Sequence, residues 1–351
     1  MSVTVVCCSE IADPHWRWIE KGLACPDVKF EFVSCAPRNR LDGSKLFNFA
    51  RLRGCYNAIK MVRRTRARVL VTHGPALAAW CCIFALMRRQ RIVILAHSFN
   101  FAAMPNRLKK PLFSMALRRV NRFVVYSAVE KDLYASAFGI PVDRFDVVLW
   151  SVNRPHVDDA GRPLQSGEYV SAIGGNARDY PTLLKAAGQL PHIRFVLVVR
   201  PESLRDLEVP RNVATYVNLP TGLTMNILFH SRFMVLPLKN SSVPCGHVTL
   251  VAAMHLGKAI IITDSSGVRN YVSHDENAMT VPAGSAQDLV ATIEALWNDN
   301  LLCDRLGESG REFALQHCCE ERITEHFRRW LADNGAAIDA RGAVTWGGGV
   351  L

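Results

Sequence analysis

"SVPCGHVTLVAAMHLGKAIIITDSSGV" (242–268) decides how the chain is read. A tight turn at Cys245-Gly246-His247 opens a helix and Gly257 closes it, glycine being the residue that most often stops one. The Ile-rich run 259–263 is then a short buried strand entering a Ser-Ser-Gly turn. Loop, helix, glycine, strand, glycine turn is an order by which α/β folds present backbone N–H groups to a phosphate.

The alternation extends outward on both sides. Runs rich in Val and Ile at 169–174, 194–199, 213–218 and 232–238 read as strands, with a helical pattern at 180–190. A second set of strands lies at 3–8, 28–34, 67–74, 91–98 and 122–127, separated by amphipathic stretches at 46–65 and 75–90. Strands alternating with helices mean βαβ units and mostly parallel sheets, whose ligands sit beyond the carboxyl ends of the strands. Residues 151–168 carry scattered Pro, Gly and Asp and no apolar period, so they read as a break between two α/β units. Helices are expected over 286–333, and the Ala/Gly-rich end of the chain reads as a flexible tail.

The 351 residues suffice for two domains, and 49% hydrophobic with 21% charged residues indicates a folded chain. The N-terminus "MSVTVVCCSE" lacks a basic segment followed by a long apolar core, and the longest apolar run, 76–87, is too short to span a bilayer. Six of the eleven cysteines form adjacent pairs and no CxxC occurs, so reduced core cysteines are expected and no metal site. The net charge of +11 is uneven: residues 1–150 carry +14 and the remainder −3. Residues 43–129 hold 17 Lys and Arg and no Asp or Glu, a one-sign surface suited to an anionic partner. The segment 106–123, "NRLKKPLFSMALRRVNRF", interleaves cations with Leu, Phe and Met as a membrane-surface helix does. No RNP-type motif, zinc spacing or helix-turn-helix signature accompanies the charge, so nucleic acid is not the expected partner.

The order "YVSAIGGNARDYPTLLKAA … IRFVLVV … NVATYVNLP … FMVLPL … CGHVTLVAAMHLGKAIIITDSSGVRNYV … NAMTVPAGSAQDL" resembles the donor half of retaining GT-B glycosyltransferases. These are the family 4-like, group 1 enzymes, whose signature helix reads Glu-x7-Glu, Ala-Met, then Gly-Lys. A looser likeness covers 91–150. The resemblance implies two Rossmann-like α/β/α domains facing each other across a cleft. It implies an acceptor-side domain over 1–152, a linker at 153–167, a nucleotide-sugar domain over 168–320, a C-terminal helix at 321–333 and a flexible tail at 334–351. The signature acids, which in the family contact the transferred sugar and the ribose, fall here on Pro244 and Ala252. The implied activity is transfer from a nucleotide sugar to a lipid-linked or cell-surface glycan, in polysaccharide biosynthesis, at the cytosolic face of a membrane. It requires neither metal nor resident cofactor. The lost acids leave a non-catalytic GT-B partner protein as the alternative, with a nucleic-acid-binding protein less favoured.

Retaining transfer needs a stabilised diphosphate leaving group more than a dedicated base, and cations with helix N-terminal N–H groups supply that. Cys245, Gly246, His247, Val248 and Thr249 offer such a terminus, Gly246 allowing close backbone approach. Arg178, in the turn that holds Gly174 and Gly175, matches the family's diphosphate-binding loop; the alternative is a surface ion pair with Asp179. Arg200 and Lys239 end strands and are candidates for a second cation. His97 matches a family histidine that faces the transferred sugar, and with Arg178 makes the expected catalytic pair. His73 and His15 are the acceptor-side candidates. The Gly-rich loop common after the first strand is absent from "CCSEIADPHW" (7–16).

Overall fold

A computed structural model describes residues 3–10, 18–23, 28–37, 48–101, 104–239, 244–334, 336–338 and 344–346. The chain forms two compact units: Met1–Val148 with Glu320–Leu351, and Leu149–Cys319.

The first unit runs β1 (Val3–Ser9), α1 (Trp18–Leu23), β2 (Val28–Ser34), α2 (Phe49–Thr65), β3 (Val69–His73), α3 (Pro75–Met87), β4 (Val93–His97), α4 (Lys109–Leu117), β5 (Arg122–Val125), α5 (Ala128–Phe138) and β6 (Phe145–Val147). The strands form one sheet in the order β2-β1-β3-β4-β5-β6, all parallel. Its central strands are buried on both faces, which is why they are continuous apolar runs rather than alternating ones. Order reverses between β1 and β3, placing a topological switch at their carboxyl ends.

The second unit runs β7 (Val170–Ile173), α6 (Tyr180–Gly188), β8 (Phe195–Val199), β9 (Val213–Val217), α7 (Thr221–His230), β10 (Phe233–Leu236), α8 (His247–His255), β11 (Ile260–Thr263), β12 (Met279–Val281), α9 (Ala286–Asn298) and α10 (Asn300–His317). Its all-parallel order, β12-β11-β10-β7-β8-β9, is the doubly wound dinucleotide-fold arrangement, with the switch between β7 and β10. Helix starts are set by short polar caps: Asp179 accepts from Thr182 N, Ser285 from Asp288 N and Asp299 from Leu302 N.

Two boundaries differ from the sequence reading. The units divide at Val148 and Leu149, and residues 153–167, read as a linker, group with the second unit. The cause is Asn226, fully buried in α7. Its Nδ2 donates to the carbonyls of Asp158, Asp159 and Arg162 at 2.8, 3.1 and 3.0 Å, and its Oδ1 accepts from Leu164 N at 2.9 Å. One amide thus supplies the hydrogen bonds an irregular segment cannot make for itself. The second difference is α11 (Glu320–Asp333), which returns to the first unit. There Phe327, Trp330 and Leu331 pack with Val3, Val5, Ile19 and Leu23. Beyond it, where a flexible tail is expected, β13 (Ala336–Ile338) and β14 (Val344–Trp346) pair antiparallel.

Asn226→Ala would orphan three carbonyls and one N–H, a loss of about 2–4 kcal/mol after partial rehydration of the loop. The expected result is a lower urea midpoint, with proteolytic cleavage appearing within 153–167; an unchanged midpoint would show the loop is held elsewhere.

Candidate active site

At the switch of the second unit, β7 runs into Gly174 and Gly175, and Arg178 follows in the turn before α6. Arg178 is only 7% exposed. Its Nε donates to Ile173 O at 3.3 Å, Nη1 to Asn176 O at 2.8 Å and Nη2 to Thr249 Oγ1 at 2.9 Å. Gly174 has φ +110°, and a Cβ there would lie 2.7 Å from Nη2, so both the turn and the guanidinium require glycine. The expected alternative, a surface ion pair with Asp179, is not formed. Asp179 caps α6, its carboxylate accepting from Thr182 N at 3.3 Å and Thr182 Oγ1 at 2.7 Å. Among the described residues no carboxylate pairs with Arg178. Burial lowers its pKa, the sign of a charge whose hydration is not fully replaced.

Thr249 stands in the first turn of α8, behind the N-cap Gly246 (φ +99°), which offers no side chain to the leading N–H groups. Arg178 therefore lies beside the N-terminus of α8. A buried cation and the positive end of a helix dipole together favour an anion. Two further cations border the turn. Arg200, exposed at the end of β8, donates to Asn176 Oδ1 at 2.7 Å, and Lys239 is tied by its backbone to Ala177 O at 3.0 Å. Gly174, Gly175, Arg178, Arg200, Lys239 and residues 245–249 thus gather at one place. The His247 imidazole is an exception: it is buried, its Nε2 lies 2.9 Å from Gly267 O, and its ring stacks on Tyr271. Only its backbone serves the helix terminus. Pro244 packs against Gly267, and Ala252 lies in the core on α8.

In the first unit, His73 and His97 end adjacent strands, with rings 6.1 Å apart. Ser98 joins them, its Oγ lying 2.9 Å from His97 Nδ1 and 2.8 Å from His73 Nε2. A hydroxyl has one proton, so no more than one imidazole accepts from Ser98 and at least one donates to it. The buried Tyr126 phenol completes the group through a hydrogen bond to Ser98. Burial pulls His73 down to about 4, and His97 is lowered too, first by burial and then by His73 and His326. Both are neutral hydrogen-bonding groups near pH 7. Beneath them buried Glu130 closes a capping box on α5, accepting from Tyr126 N at 2.9 Å and Ser127 Oγ at 3.1 Å, and binds Asn100 Nδ2. His15 lies outside the described residues.

Two family models match. Residues 179–313 match "Glycosyl transferases group 1" and residues 21–153 match "Glycosyltransferase Family 4". The chain belongs to the group 1 glycosyltransferases of GT-B fold. No curated protein matches it significantly in sequence. Solved GT-B structures share its fold. Sucrose-phosphate synthase from Thermosynechococcus elongatus aligns with TM-score 0.73 at 15% identity, covering 95% of this chain and 99% of that one. Anabaena Alr3699/HepE in complex with UDP-glucose aligns at 0.72 and 12% identity, covering 94% and 99%. A glycosyltransferase from Rickettsia africae aligns at 0.70 and 12% identity, covering 94% and 97%.

Ser98, Tyr126 and Glu130 went unread in the sequence of this glycosyltransferase. Ser98 has φ +52°, which no local pattern announces, whereas "SAVE" (127–130) does spell the capping box. The depressed His73 pKa carries a sign: the unfolded chain takes up the proton first, so stability falls as pH drops from 6.5 to about 4. His73→Gln, which keeps a hydrogen-bonding partner for Ser98, should flatten that part of the profile in urea titrations. An unaltered slope would place the titrating group elsewhere.

Proposed function

We propose that this glycosyltransferase moves a sugar from a nucleotide-sugar donor, bound at the β7–α6 turn and α8, to a lipid-linked or cell-surface glycan at an anionic membrane. The observation that carries the donor reading is Arg178, a buried guanidinium without a carboxylate partner among the described residues, set beside the N-terminus of α8. A diphosphate there satisfies the cation and the helix N–H groups together. In the proposed step the bond from the anomeric carbon to the diphosphate oxygen breaks, and the acceptor hydroxyl oxygen bonds that carbon on the same face. The proton passes to the departing diphosphate, whose growing charge Arg178, α8, Arg200 and Lys239 meet without a metal being required. HepE, which binds UDP and UDP-glucose, supports a uridine diphosphate donor by analogy of fold. His97, neutral and at the carboxyl end of β4, is placed to orient a sugar hydroxyl.

The membrane reading is supported by α4. Phe113, Ala116 and Leu117 face the core, while Leu108, Leu112 and Met115 are 88%, 38% and 59% exposed on the outer side. Exposed Arg107, Lys109, Lys110, Arg118 and Arg119 surround them. Apolar side chains flanked by cations suit the headgroup region of an anionic bilayer. Among the described residues no helix is long and apolar enough to cross a membrane, so the proposed attachment is peripheral, at the inner face of the cell membrane.

Two measurements test the pair of readings. UDP, UDP-sugars and GDP-sugars should raise the melting temperature, and Thr249→Val and Arg178→Ala should weaken that binding roughly 10- and 100-fold, as loss of neutral and charged hydrogen bonds does. No shift with any nucleotide would sink the donor site, and binding without turnover would favour a non-catalytic partner. Flotation with phosphatidylglycerol vesicles should fall roughly 10-fold for Leu108→Ser with Met115→Ser, and RNA should not displace the protein from vesicles.

A further inference from the structure

The first unit holds a group of thiols that the transfer reaction does not use. Cys8 ends β1, Cys35 follows β2, Cys55 is on α2 and Cys81 is on α3; all four are 0% exposed. The sulfur atoms of Cys8, Cys35 and Cys55 all lie within 4.8 Å of one another, and Cys8 and Cys35 are 3.2 Å apart. Cys81 Sγ is 4.0 Å from Cys8 Sγ. No spacing motif reveals the group, because four separate elements deliver its members. Cysteines filling a core for their volume alone need not converge, and Cys7 on the opposite face of β1 belongs to a different cluster.

Local structure is shaped to bring them together. Cys35 is anchored by its N–H on Ser9 O, which continues the β1–β2 ladder past its last pair. Its Sγ then reaches under α2 only because residue 54 is glycine: a Cβ there would lie 2.3 Å from Cys35 Sγ and 2.8 Å from Cys35 Cα.

We propose that Cys8, Cys35, Cys55 and Cys81 bind one zinc ion as a closed structural site. Zinc–sulfur bonds of about 2.3 Å in tetrahedral geometry set ligand sulfurs about 3.8 Å apart, so Cys8, Cys35 and Cys55 stand near ligand spacing, while Cys81, 4.0 Å from Cys8 but outside their mutual 4.8 Å group, closes on the other two when the ion binds. Binding releases one thiol proton to solvent for each ligand, leaving a tetrathiolate zinc centre of charge −2. Arg51, one turn before Cys55 on α2 and paired with Glu10, is a cation on the same helix as one of the ligands. With all four sulfurs shut from solvent, the ion enters as the unit folds. It then ties the carboxyl ends of β1 and β2 to α2 and α3.

The test uses the full chain, free of any affinity tag and purified under reducing conditions without chelator. About one equivalent of zinc by elemental mass spectrometry is expected, together with the visible bands of tetrahedral thiolate ligation on cobalt substitution. Cys8→Ser and Cys55→Ser should lose both, whereas Cys7→Ser should keep both. Should the first two fail to fold, Cys81→Ser, which leaves three thiols in place, should lose the four-sulfur cobalt spectrum. Three results would overturn the proposal: no zinc or cobalt bound after anaerobic reconstitution, equal metal content in Cys8→Ser and Cys7→Ser, or a Cys8–Cys35 disulfide in freshly isolated protein.

Discussion

A guanidinium taken out of water without a carboxylate beside it constrains the whole second unit. Stranding such a charge costs several kcal/mol unless hydrogen bonds and a counter-ion replace its hydration. Three of the five N–H groups of Arg178 go to Ile173 O, Asn176 O and Thr249 Oγ1. These acceptors come from the end of β7, the turn after it and the first turn of α8. The side chain therefore joins the two elements that flank the topological switch. Gly174, with its positive φ and the missing Cβ, is the backbone condition for that geometry. The donor diphosphate proposed for this place would supply negative charge that Arg178 lacks among the described residues.

The first unit meets its own constraint with neutral groups. His73, His97, Ser98 and Tyr126 share one hydroxyl proton network at strand ends, and burial keeps both imidazoles uncharged. Neutral imidazoles suit hydroxyl groups, whereas the cations of the second unit suit the phosphate proposed there. This division of chemistry follows the charge of each site rather than the net charge of each half. The basic half carries the uncharged site, and the slightly acidic half carries the buried cation.

Much of the fold was legible because parallel strands buried on both faces leave uninterrupted Val/Ile runs, and every central strand of both sheets was read this way. The strands β6 and β12 were not, since each is a three-residue edge strand with too little sequence to show a period. Helix α7, "TGLTMNILFH", is apolar on nearly every side and so carries no 3.6-residue signal. That α11 belongs to the first unit is decided by Phe327, Trp330 and Leu331 finding partners on α1 and β1, a tertiary fact without a local marker. Of the site, residue types and order were legible, as at Arg178, Gly246 and His97. Depth was not: sequence could not separate an exposed Arg178–Asp179 pair from a buried Arg178 and a capping Asp179. Nor could it show that the His247 ring turns inward to Gly267 while its N–H stays at the helix end.

The features of the first unit that lie outside its histidine network share one framework. Helices α2, α3 and α4 pack side by side on one face of the sheet, and their inner surfaces supply Cys55, Cys81 and Phe113. Their outer surfaces present Phe49, Met87 and Leu108 among Lys and Arg. A surface helix that carries apolar residues outward has no hydrophobic gain of its own in water, so its position must be set from the inside. The buried thiols of β1, the end of β2, α2 and α3 provide such internal fixation: Cys8 Sγ lies 3.2 Å from Cys35 Sγ and 4.0 Å from Cys81 Sγ, and Cys55 Sγ is within 4.8 Å of Cys8 and Cys35, which leaves little room for the helices to slide. The crowded thiol core and the exposed basic, apolar face are thus the two sides of one layer, the first holding rigid what the second presents.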